Sequence, residues 1–280
     1  MTDLMQQLTL GNHHFAYRVA GSGPDVLLIH GWLSSGRMWE ALMAYLAPQY
    51  RVWAPDLIGF GDSWADDPTR VLTVEDQTRL AVVFCKAVGI RPYAAIGHSM
   101  GGAIILKLAL DYPELLDRLV LVCPVVSGKI GWNLDALLTT PVGQTMLAFG
   151  QYVWGTVTQF SPMSFFVAPP YLTREVVQRT VEDFQKAAWG ATYGGLNSLL
   201  NIRLDRRLHE IDKPTLIITG THDLTVPPAE GRLAAALIRG ARLIELTGCH
   251  HQVPDEEPER FHAAIAEFLA AAASQSAYAA

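Results

Sequence analysis

The sequence predicts an α/β fold: a mostly parallel, doubly wound sheet with a helical cap inserted late in the chain. Three observations predict it. Short apolar runs alternate with stretches of helical length. The runs are continuously apolar, as strands buried on both faces require. The alternation stops between Val125 and Asp212 and then resumes.

The opening predicts two short strands around Gly11-Asn12, the second being "HFAYRVAG". Core strands follow in "DVLLIHG" (25–31), "YRVWAPDL" (50–57), "YAAIGHS" (93–99), "RLVLVCP" (118–124), "PTLIITG" (214–220) and "ARLIEL" (241–246). Between them "MWEALMAYLA", "TVEDQTRLAVVFCKAVG", "GGAIILKLALDYP" and "AEGRLAAALIRG" predict helices. The interruption contains "LTREVVQRTVEDFQKAAWG", a helical pattern with Thr173 as N-cap, and the aromatic segment "FSPMSFFVAPPYL". We read residues 1–126 as the first part of the core, 127–211 as the cap inserted after the sixth strand, and 212–280 as the second part of the core. The plainer alternative for the cap is an elaborated connection with no role in binding. The Ala-rich tail predicts a last helix that frays.

Composition narrows the function. The chain has 280 residues, half of them apolar, and a net charge of −6. No basic stripe offers itself to nucleic acid. No apolar run approaches the roughly 18–20 residues of a membrane span, and the N-terminus lacks the pattern of a secretory signal. Cys85, Cys123 and Cys249 form no C-x-x-C pair, so neither a disulfide framework nor a zinc site is expected, and a reducing, cytoplasmic setting fits.

The strongest local signal is "AIGHSMGG" (95–102). Gly97-x-Ser99-x-Gly101 lies between a predicted strand and a predicted helix, the context that gives this motif meaning. Ser99 is the candidate nucleophile on a strained turn, and Met100 N–H a candidate donor to an oxyanion. His98 should point away from the serine and pack. His30-Gly31 ends another core strand, which makes Trp32 N–H the second candidate donor, with His30 holding the loop. "APDLIGFGDS" (54–63) lacks the spacing of a phosphate loop, so Asp56, Gly59 and Gly61 are assigned to loop structure. Asp223 follows the strand "PTLIITG" at the same sheet edge and can orient a histidine, or it can be a plain turn aspartate. The segment "LVCPVVSG" offers no competing acid. A base must come from "GCHHQVPDEEPERF" (248–261), where His250 and His251 stand side by side.

Together "HGW", "DLIGFGDS", "GHSMGG", "PTLIITGTHDLTVP" and "GCHHQVPDEEPERF" resemble the α/β-hydrolase superfamily, and within it small esterase and lipase-like members with a helical cap. The motifs fall in that family's order, Ser…Asp…His. The resemblance covers about residues 24–126 and 212–269, and the cap matches loosely. Aligning Glu256 and Pro258 with the family's last motif places its histidine on His251, with His250 where glycine is usual. The resemblance implies hydrolysis of a carboxylic ester through an acyl-enzyme, with Ser99, Asp223 and His251 as triad, Trp32 and Met100 as oxyanion donors, and no metal or organic cofactor.

Phe160, Phe165, Phe166 and Tyr171 of the cap suggest a hydrophobic small-molecule substrate, or else pack the cap on the core. The same triad could serve carbon–carbon bond hydrolysis of a diketone-like substrate, or perhydrolysis. An aspartate-nucleophile reaction is opposed by Ser99. A non-catalytic ligand-binding protein is the remaining alternative. A monomer or homodimer without membrane or nucleic-acid partners is expected.

Overall fold

A computed structural model describes residues 5–131, 149, 152–153, 156 and 172–277. Among the described residues nine strands form one sheet: β1 (Met5–Leu10), β2 (His13–Ala20), β3 (Asp25–Ile29), β4 (Arg51–Pro55), β5 (Trp64–Ala65), β6 (Ala94–His98), β7 (Leu119–Val122), β8 (Thr215–Gly220) and β9 (Arg242–Leu246). Their order is β1-β2-β4-β3-β6-β7-β8-β9, with β5 paired to β2. Pairings β1–β2, β2–β4 and β2–β5 are antiparallel; every pairing from β4 onward is parallel. This is the α/β architecture expected, with one strand more. The two-residue β5 carries no periodic signal of its own, and only its pairing with His13 and His14 makes it a strand.

Alternation along the strands divides the core into two layers. Leu27, Ile29, Leu119, Leu121 and Ile217 pack with Phe84 of α2 (Val74–Val88), Ile104 of α3 (Met100–Asp111) and Ala234 of α6 (Pro228–Leu237). Val26, Leu28, Val120, Val122, Leu216 and Ile218 pack on the other face with Leu42 of α1 (Glu40–Leu46) and Phe261 and Ile265 of α8 (Pro258–Ala277). Helices on both faces explain why these strands read as unbroken apolar runs. β9 departs from that expectation. It is the sheet's edge, so Arg242 and Glu245 are exposed and pair with Glu267 and Arg232.

Local chemistry sets the helix ends. Thr73 and Asp76 close a capping box on α2, and Gly89 ends it in the left-handed conformation at φ 72°. The helix predicted from Met38 is preceded by a 3-10 turn (Gly36–Trp39) that runs into α1, and fully buried Trp39 seats it on the sheet. Of the cap, the described residues show α4 (Arg174–Lys186), α5 (Trp189–Asn201) and two 3-10 turns. Thr173 caps α4 as expected, accepting from Val176 N–H at 3.3 Å. The single helix predicted through Gly190 is two. Ala187 and Ala188 are extended, and Ala188 N–H donates to Gly59 O at 2.8 Å, which stops α4 and starts α5. Phe160, Phe165, Phe166 and Tyr171 lie outside the described residues. No helix of the described residues is long and apolar enough to cross a membrane.

Candidate active site

The parallel strands bring the candidate residues to one edge of the sheet. Ser99 follows β6, Cys123 follows the neighbouring β7, and Asp223 lies just past β8, next to β7. This edge, at the strands' carboxyl ends, is where open α/β sheets hold ligands.

Ser99 sits at φ 54°, ψ −113°, off the regions open to most residues, directly before α3. Its motif glycines are there for space. A Cβ on Gly97 would lie 2.3 Å from Gly101 O, and one on Gly101 would lie 2.2 Å from Ile29 O. The strand, the turn and the helix can therefore pass this close only without side chains. The Ser99 hydroxyl has no hydrogen-bond partner among the described residues, nor have the N–H groups of Trp32 and Met100. Unfilled donors near a nucleophile are what an oxyanion requires. Trp32 is fixed from above, its indole Nε1 donating to Thr192 O of α5 at 2.9 Å.

His30 holds its loop as expected. Its Nε2 accepts from Leu57 N–H at 2.8 Å, so Nδ1 carries the proton and donates to Gly31 O at 2.7 Å. Burial lowers its pKa and keeps it neutral. Asp56 accepts from Gly36 N–H and Asp62 N–H at 2.7 and 2.8 Å, a loop role, as assigned.

Asp223 divides its two oxygens between structure and chemistry. Oδ1 accepts from Thr225 and Val226 N–H at 2.8 and 2.9 Å, the turn role. Oδ2 accepts from His251 Nδ1 at 2.7 Å. Burial opposes its charge, but facing His251 and these hydrogen bonds hold the carboxyl below its ordinary pKa. With Nδ1 donating to Asp223, His251 keeps Nε2 as its acceptor, the tautomer a base needs.

The neighbouring His250 turns elsewhere. Its Nδ1 lies 2.9 Å from Glu256 Oε2, which also accepts its main-chain N–H at 2.8 Å. The left-handed backbone in this loop belongs to Gly248 at φ 84°, and His250 needs no positive φ. The structure therefore joins His251, and not His250, to Asp223.

Sequence reasoning missed two features here. His98 does not simply pack away from the site: its Nε2 reaches His251 O at 2.8 Å, because the base loop crosses directly over the end of β6. Cys123, buried and at φ 45°, lies against Asp223, and burial with that neighbouring charge pushes its thiol pKa well up. His98, Cys123 and His251 bring metal-capable atoms within 4.8 Å of one another, but His98 Nε2 and His251 Nδ1 are already held by a carbonyl and a carboxylate. All three cysteines are free and buried.

The α/β hydrolase fold family matches residues 24–258. The chain belongs to the α/β hydrolase family. This hydrolase is 27% identical over 274 residues to a pyrrolizixenacetamide deacetylase of Xenorhabdus hominickii, across 95% of this chain and 98% of that one. It is 25% identical over 247 residues to a pimeloyl-(acyl-carrier protein) methyl ester esterase of Nitrosomonas europaea, across 86% and 94%. A solved hydrolase of Pseudomonas aeruginosa superposes with a TM-score of 0.75 at 26% identity, across 96% of this chain and 99% of that one.

Proposed function

We propose that this hydrolase cleaves carboxylic esters through an acyl-enzyme on Ser99. One observation carries the reading: a strained serine at the end of β6 shares the carboxyl edge of the sheet with a buried aspartate that holds a histidine through Nδ1 at 2.7 Å. Ser99 Oγ attacks the ester carbonyl while His251 Nε2 takes its proton. Asp223 keeps the imidazole oriented and stabilises the imidazolium. The N–H groups of Trp32 and Met100 receive the oxyanion. The imidazolium then protonates the leaving alcohol. Water, deprotonated by His251, attacks the acyl-enzyme and frees the acid and Ser99. No step calls on a metal or organic cofactor.

The names of two relatives, a deacetylase and a methyl ester esterase, describe acyl transfer to water and favour this reaction over carbon–carbon cleavage.

The test has two arms. A fluorophosphonate should label Ser99 stoichiometrically, and a panel of esters with graded acyl lengths should be hydrolysed. Ser99→Ala should lower the rate on the order of a million-fold. Substantial rate in that variant, or faster turnover of a diketone or of peroxide in parallel assays, would overturn the reading.

A further inference from the structure

His98 is a buried imidazole that the reaction above does not use. It is 3% exposed, and its ring centroid lies 4.6 Å from that of His251. Its Nε2 is 2.8 Å from His251 O. A carbonyl only accepts, so Nε2 carries the proton and Nδ1 is a bare acceptor. That Nδ1 is buried and has no partner among the described residues. An unsatisfied buried acceptor costs on the order of 1–3 kcal/mol, a cost that an apolar residue would avoid. A hydrogen bond to the main chain of the base offsets it.

The other anchors of that loop show what this bond adds. Glu256 accepts from the N–H groups of His250 and Gln252 at 2.8 and 3.0 Å, on either side of His251. Asp223 holds the ring. Asp223 comes from the turn after β8, and Glu256 from the base segment itself. The bond from His98 is different, because His98 immediately precedes Ser99 in the chain.

We propose that His98 is a positioning residue: it ties the carbonyl of the base to the peptide that precedes the nucleophile, and so sets the distance between Ser99 and His251. The inference rests on the reading of Ser99 and His251 as nucleophile and base. Burial, reinforced by the neighbouring His251, pushes the pKa of His98 down to about 3, so the ring stays a neutral donor and adds no second charge beside the imidazolium.

Three variants test this. His98→Leu removes the donor and keeps the bulk. His98→Gln places an amide N–H at the reach of Nε2. His98→Asn is polar but too short to meet the carbonyl, and it replaces the leucine variant in the comparison should that fail to fold. The expected result for leucine or asparagine is a loss of roughly a hundred-fold in kcat with KM little changed. Glutamine should restore most of kcat. The low-field proton signal of His251 Nδ1–H should shift or broaden in the leucine and asparagine variants and return in the glutamine variant.

A structural role alone would lower thermal stability and leave that signal and kcat in place. That result would overturn the proposal, as would a glutamine variant as slow as leucine. The proton signal is also read in Ser99→Ala, where ester hydrolysis plays no part. If Ser99→Ala keeps its rate, the ester reading fails. If the signal ignores His98, the positioning role fails.

Discussion

Asp223 shows at the scale of one residue how a turn aspartate and a candidate catalytic acid can be the same side chain. Its Oδ1 is committed to two backbone N–H groups and its Oδ2 to His251. Asp223→Asn keeps the turn acceptor but can offer an N–H to Nδ1, which then carries no proton. The expected loss in kcat is roughly ten-thousand-fold at neutral pH, read by steady-state kinetics; a mild effect would point to another acid. The histidine pair gives a sharper contrast. His250→Gly should retain most of the activity, since that ring meets Glu256 and not Asp223, whereas His251→Ala should lose it. Rates of the two purified variants decide between them. In the sequence both histidines are equally plausible bases from their chemistry alone. Only resemblance favoured His251, because the side-chain directions in a turn depend on what the turn packs against.

Among the elements, α4 links the cap to both ends of the site. Arg37, five residues after Trp32, donates to Asp183 Oδ1 and Glu182 Oε2, each at 2.6 Å. Ser35 Oγ donates to the same Asp183 oxygen at 2.9 Å, and Arg179 donates to Asp255, just past the base, at 2.6 Å. Asp183 is 1% exposed, while the Glu182 side chain is 40% exposed. The two acids should therefore differ in worth. Asp183→Ala removes buried hydrogen bonds to a charged group and should cost about 1.5–3 kcal/mol. Glu182→Ala breaks a solvent-screened pair and should cost clearly less than Asp183→Ala. Urea unfolding midpoints of the two variants measure the difference. The periodicity of α4 and its Thr173 cap were legible in sequence. Its salt links were not, since nothing in the sequence around Ser35 and Arg37 marks their partners on α4.

At the scale of the whole molecule, a neutral buried histidine makes stability depend on pH. His98 binds a proton in the unfolded chain below its ordinary value of 6.5, but in the fold only near about 3. Between those values the unfolded state holds the extra proton, so stability falls as pH falls, by about 1.4 kcal/mol per pH unit for this group. Buried His30, with its pKa also lowered, acts in the same direction. The thermal midpoint should drop as pH is lowered through 6.5, and His98→Gln should flatten that slope. An unchanged slope in this variant would show that His98 is not the source.

By itself the sequence determined the layers and the strained turn at Ser99. Unbroken apolar strands must be covered on both faces, and Gly97-x-Ser99-x-Gly101 between a strand and a helix permits few other turns. It also determined the capping of α4 by Thr173, because capping is local chemistry between residues three apart. The tertiary structure alone decided which histidine meets Asp223, that Glu256 and His98 hold the His251 loop from two sides, that β9 is an exposed edge and that β5 exists at all. Each of these is a contact between segments far apart in the chain. Such a contact leaves no periodicity in either partner, and only the packing that brings the segments together fixes it.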